Sequence, residues 1–188
     1  MAYNWPDVEQ YGMTPAARIA AVIEILTEMQ AASDARMFCG RNAGQWLRAE
    51  FQHRRYAGSS DRAVIGDLFW KIQRAKARIS WHLSDLCAPL SPRNKVLAAL
   101  VLIEGQSAAI PNLFSADISH SARPLDIAET DLVAALADRD LNASAMADHV
   151  VYEWPEWLME DTKAGLGSEL ARELGAMLTE APTDIRIN

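Results

Sequence analysis

Residues 60–86, SDRAVIGDLFWKIQRAKARISWHLSDL, read as the longest helix of the chain and decide its fold class. Ile65, Leu68, Phe69, Ile72, Ile79, Leu83 and Leu86 recur at helical spacing and form one apolar stripe. Lys71, Arg74 and Arg78, at i, i+3 and i+7, project from the opposite side, and Trp70 and Trp81 fall beside that basic row. The spacing predicts a helix with its apolar side in a core and its basic, aromatic side turned to a different partner.

Upstream lies a basic and aromatic turn, Arg54-Arg55-Tyr56-Ala57-Gly58-Ser59-Ser60-Asp61-Arg62, in which Gly58 allows positive φ and Ser59 or Ser60 can cap the helix that follows. Before it, Asn42 with Gln45 reads as a capping box for a helix that buries Trp46, Leu47 and Phe51 and ends near Arg54. Residues 32–41 read as a loop. The first helix starts at Thr14-Pro15, an N-cap followed by a proline at the first helical position, and runs to about residue 31 through Ile19, Val22, Ile23 and Leu26.

Downstream, Ser91-Pro92 repeats that start signal before Val96, Leu97, Leu100, Val101 and Ile103, a run so apolar that it belongs at the centre. A connecting segment reaches Pro124 with a short helical turn at 110–114. A helix over 126–139, a short one over 144–151, one opening on Pro155, and a last one capped by Ser168 complete the reading. No segment alternates with the period of a strand, so the predicted class is all-α, and residues 1–188 form one domain.

The chain of 188 residues carries a formal net charge of −7, unevenly spread. Residues 1–35 hold one Lys or Arg against five Asp and Glu, residues 36–95 twelve against four, and residues 96–188 five against sixteen. A basic middle between acidic ends restricts where an anionic partner can dock, unless folding interleaves the three segments. The arginine fork suits phosphate, and an indole beside it can stack on an unpaired base. The candidate RNA-binding residues are therefore Arg54, Arg55, Arg62, Lys71, Arg74 and Arg78, with bundle packing the competing role for Trp70 and Trp81.

Catalytic chemistry finds no foothold. Gly165-Leu166-Gly167 sits between predicted helices, as a helix stop and not a cofactor loop. The four histidines are widely separated and offer no metal-ligand spacing. Cys39 and Cys87 form no paired motif, and with no leader-like start and no apolar run of about 18 residues they point to a reduced cytoplasmic setting without a membrane anchor.

Four stretches carry a family resemblance: Thr14-Pro15-Ala16-Ala17-Arg18; Arg55-Tyr56-Ala57-Gly58-Ser59-Ser60-Asp61-Arg62; Trp154-Pro155-Glu156-Trp157-Leu158; and Ala181-Pro182-Thr183-Asp184-Ile185-Arg186-Ile187-Asn188. Together they resemble the amino-terminal domain of RsmB/Sun-type ribosomal RNA cytosine-5 methyltransferases, a helical module similar to the antitermination factor NusB. The resemblance implies a NusB-like helical bundle that helps to position ribosomal RNA. It also implies that residues 181–188 are a junction towards a Rossmann-like catalytic domain using S-adenosyl-methionine, a domain not included in this chain. The cysteines such a domain needs, in Pro-Cys and Thr-Cys settings, are not matched by Cys39 or Cys87. The chain is thus expected to have no catalytic residue, cofactor or metal of its own. Its expected partners are ribosomal RNA and its own catalytic domain, with a protein-docking or antitermination-type module as the alternative.

Overall fold

The computed structural model describes residues 12–35 and 42–179, and every described element is helical. Helix α1 (Pro15–Asp34) begins where Thr14 Oγ1 accepts from the Ala17 amide at 3.1 Å. Helix α2 (Ala43–His53) opens with the reciprocal Asn42 and Gln45 hydrogen bonds, 2.9 and 3.1 Å. Helices α3 (Ser59–Arg74) and α4 (Lys76–Asp85) follow, then α5 (Pro92–Leu102), capped by Ser91. The short α6 (Ile110–Leu113), α7 (Ile127–Ala137), α8 (Asp148–Val151), α9 (Met159–Leu166) and α10 (Leu170–Met177) complete the described chain. The expected all-α class is observed among these residues, and no described helix is long and apolar enough to cross a membrane.

Helix α5 is the hub because it is apolar nearly all round, as a surface helix cannot be. Val96, Leu97, Ala98, Ala99 and Leu100 are fully buried, with α1, α3, α4 and α7 packed around them. Ala98 and Ala99 keep the hub thin, while Ile19, Val22 and Ile25 of α1 and Ile65, Leu68, Phe69 and Ile72 of α3 supply bulk from the sides. Each large aliphatic or aromatic side chain so buried contributes about 1.5–3 kcal/mol relative to exposure.

The predicted long helix is two helices. It breaks at Ala75, which is buried and leaves helical geometry at φ −121° and ψ 23°. The cause lies far away in sequence. Glu153 accepts from the backbone amides of Ala77 and Arg78 at 2.7 and 3.0 Å, so a carboxylate from the α8–α9 connection caps α4. Two turn details also differ from the sequence reading. Gly58 has φ −67°, not a positive angle, and no serine caps α3; the Gly58 amide donates to Asp61 Oδ2 at 3.1 Å instead. The last helix begins as a 3-10 turn at Gly167–Glu169 without a Ser168 cap, while Gly167, at φ 52°, ends α9 as expected. Helix α1 runs on to Asp34, into the loop expected over 32–41; residues 36–41 of that loop, Cys39 among them, and the junction at 181–188 lie outside the described residues.

Helix α7 is pinned to the hub by Glu129. Its carboxylate accepts from Arg93 Nε at 2.7 Å and Nη2 at 3.1 Å, and from Arg123 Nη2 at 2.7 Å. Burial alone would raise its pKa, but the hydrogen bonds from Arg93 and the Asp126 amide, with the charges of Arg93 and Arg123, outweigh it and hold the carboxyl below its ordinary 4.5. A carboxyl depressed in the folded state stabilises above its unfolded pKa, and that contribution disappears as pH falls through the folded value. Glu129→Gln is expected to cost about 2 kcal/mol at neutral pH. In urea unfolding measured from neutral pH into the acid range, the gap between the two proteins closes below 4.5; a gap constant with pH would refute this role.

Candidate nucleic-acid interface

The turn between α2 and α3 is held from inside. Ala57 is buried and its amide donates to the Arg54 carbonyl at 3.1 Å. Arg62 Nε donates to the Ala57 carbonyl at 2.9 Å, and its guanidinium carbon lies 5.9 Å from the centre of the Phe51 ring. Asp61, buried at the start of α3, receives three donors: the Gly58 amide, the Met13 amide at 3.2 Å and Arg18 Nε at 2.9 Å. The Thr14–Arg18 stretch and the turn, 43 residues apart at Arg18 and Asp61, are therefore one interlocked unit.

The six candidate cations do not form a single row, which corrects the arrangement expected from sequence. Arg54 is buried and paired with Glu50, with Glu24 at 3.4 Å and Glu28 at 3.5 Å on its other side. Burial and the neighbouring Glu50 push the Glu28 carboxyl up, as crowding carboxylates around one cation must. Arg78 is buried as well. Its Nε reaches Glu153 at 3.2 Å, Nη1 reaches Asn142 at 3.1 Å, and Nη2 donates to the Arg74 carbonyl at 3.0 Å. Lys71 bridges Asp67 at 2.7 Å and Glu104 at 2.9 Å. Arg74 makes one long bond, 3.4 Å, to the Trp70 carbonyl, and Arg55 is exposed; neither has an ion pair among the described residues. Acidic groups from both flanking segments thus fold back onto the basic middle, because a buried guanidinium without a carboxylate would be far costlier than one that has it.

What the interleaving leaves uncovered is a groove between α2 and α3. It has a volume of about 610 Å³, and Arg48, Phe51, Gln52, Arg62 and Trp70 are among its walls, while no carboxylate is among its described lining residues. Trp70 is 36% exposed. Its six-membered ring rests on Gly44, where an added Cβ would meet the ring at 3.6 Å, so the indole lies close against the start of α2 with part of its surface open to the groove. Arg48 is exposed and has no ion pair among the described residues. Arg62 faces the groove while tied to Ala57, so its position is fixed before any ligand arrives. Trp81, the other flanking tryptophan, meets the buried His82 edge to face at 5.2 Å.

Of the six candidates only Arg62 lines this groove, and Arg55 stands on the adjoining turn. Sequence reasoning passed over Arg48 and Gln52, although their i, i+4 spacing on a capped helix places them on one face. A larger cavity of about 840 Å³ lies between α1 and the segment around residues 119–123. Its two arginines, Arg93 and Arg123, are already held by Glu129, and Glu24 is in its wall, so it offers an anion less than the α2–α3 groove does. The described residues hold no group of three or more His, Cys, Asp or Glu placed to bind a metal, and Cys87 is an exposed free thiol at φ 53°. No protein-family model matches the chain, and no curated protein or solved structure matches it either.

Proposed function

We propose that the chain is a NusB-like, RNA-positioning domain of an S-adenosyl-methionine-dependent ribosomal RNA cytosine-5 methyltransferase of the RsmB/Sun kind. Its task is to hold ribosomal RNA in the cytoplasm for a catalytic domain outside this chain. The observation that carries the reading is the carboxylate-free groove with two guanidinium groups and an open indole, in a protein whose net charge is −7. In an acidic protein, a surface that keeps arginines clear of carboxylates has the charge pattern of a local anion site. The interlock of Arg18 with Asp61 supports the reading independently, since it makes one structural unit of two stretches that carry the resemblance.

Arg48 and Arg62 line the groove and Arg55 is exposed on the adjoining turn, so the reading gives about three phosphate contacts, far fewer than a protein that coats a duplex makes. Counterion release scales with the phosphates neutralised, so log K against log salt for single-stranded RNA is expected to have a slope of about −2. Arg48→Ala should flatten that slope by roughly 0.7 without changing the unfolding transition. Fluorescence anisotropy of labelled ribosomal RNA fragments across a salt series checks both. A slope near zero, or one untouched by Arg48→Ala, would remove the support.

A second reading, a protein-docking module, is favoured by the carboxyl-terminal helices. Trp157 is 81% exposed and Met177 66% exposed, and α10 packs mainly on α9 and the 3-10 turn before it. Association that survives high salt and is lost in Trp157→Ala would favour it.

A further inference from the structure

Resting on the RNA-positioning reading, we infer that the α2–α3 groove takes an unpaired nucleotide, its base on the open surface of Trp70 and its phosphate at Arg48, so that the domain selects single-stranded over duplex RNA. The groove combines three kinds of group that a paired base cannot use together. The indole of Trp70 offers an apolar surface to the groove. Stacking on it requires a base free of its own neighbours, and in an A-form helix both base faces are already covered. Gln52, exposed on the same wall and with no hydrogen bond among the described residues, carries both a donor and an acceptor, the complement of a free base edge. Arg48, one turn before Gln52, supplies an exposed cation, while Arg62 supplies one tied to the Ala57 carbonyl.

The number of cations decides between the two forms of RNA. Shape recognition of a duplex needs phosphate contacts over two successive grooves, and the described lining of this groove has only Arg48 and Arg62 for that purpose. A single strand needs fewer phosphates, because each stacked base adds affinity that does not depend on charge. Gly44 stands beside Trp70 in the groove wall. A methyl at that position would already be in van der Waals contact with the six-membered ring of Trp70, at 3.6 Å.

The test uses the full 188-residue chain with a fluorescein-labelled, unstructured oligoribonucleotide and the same strand annealed to its complement, read by anisotropy. The single strand should bind at least tenfold more tightly than the duplex. Trp70→Ala should weaken single-strand binding by roughly 5- to 100-fold, and Trp70→Tyr should restore it to within a few-fold. Trp70→Leu, which keeps an apolar side chain against Gly44 but has no ring, should resemble Trp70→Ala, and it serves as the reading if the alanine variant does not fold. Equal affinity for strand and duplex, binding unchanged in Trp70→Leu, or equal competition by poly-glutamate would overturn the groove assignment while leaving RNA binding in place. No salt-dependent binding to either RNA would overturn the groove assignment and the RNA-positioning reading together.

Discussion

Asp61→Ala is expected to destabilise the protein by about 3–5 kcal/mol, because it leaves the buried Arg18 charge and two backbone amides without their acceptor. The side chains of Arg18 and Asp61 are only 8% and 3% exposed, so water cannot replace what is removed. Against a total stability of about 5–15 kcal/mol for a domain of this kind, such a loss populates the unfolded state under native conditions. Arg18→Ala should cost less than Asp61→Ala, since Asp61 keeps the Met13 and Gly58 amides. The paired change Arg18→Leu/Asp61→Leu should recover part of the loss, as apolar replacements of a buried ion pair often do. Urea unfolding followed by far-ultraviolet circular dichroism, arranged as a double-mutant cycle, measures the coupling. A cost below about 1 kcal/mol for Asp61→Ala would mean that the pair is screened like a surface one, and the interlock between the first helix and the turn would lose its meaning.

The features legible in the sequence were those whose cause lies within a few residues. Thr14-Pro15, Ser91-Pro92 and the Asn42/Gln45 box start helices where they are written, because cap and helix are adjacent in the chain. The central place of α5 was legible for a similar reason: a helix apolar nearly all round past its first turn has nowhere else to go. The break at Ala75 was not, because its cap is supplied by Glu153, 76 residues beyond Ala77. The position of the 54–62 turn was legible while its chemistry was not. The serines and a positive glycine φ were expected to make it, whereas a buried aspartate and two arginines do.

The binding surface was harder still, since an arginine reads the same whether its partner is a phosphate or a glutamate. Glu50, four residues before Arg54 on the same helix, was the one local sign that Arg54 is engaged within the chain. Glu24, Glu28, Glu104 and Glu153 reach the basic middle only through the tertiary fold. The charge blocks were visible, and the folding that pairs Arg54, Lys71, Arg78 and Arg93 with carboxylates was not. Among the arginines left without an ion pair in the described residues, Arg48 and Arg62 are those of the α2–α3 groove, where no described carboxylate intrudes.

Glu153→Ala should produce the second large effect, a loss of about 2–4 kcal/mol, because one side chain serves both as the cap of α4 and as the partner of buried Arg78. Two further substitutions separate the roles. Glu153→Gln keeps an acceptor for α4 without the charge and should recover about half of the loss. Glu153→Gly relieves the left-handed backbone at φ 52° and should be about 1 kcal/mol less damaging than Glu153→Ala, although both lack the carboxylate. The damage should also be local at first. The α8–α9 connection meets the bundle largely through α4, and Arg78 retains Asn142 and the Arg74 carbonyl as partial substitutes. Hydrogen exchange should therefore show the amides of Ala77 and Arg78 and the α8 helix opening well before α1, α3 and α5, whose protection tracks the global stability. Uniform loss of protection across all helices, or unchanged protection at Ala77 and Arg78, would show that the break at Ala75 is held by packing alone and not by the distant carboxylate.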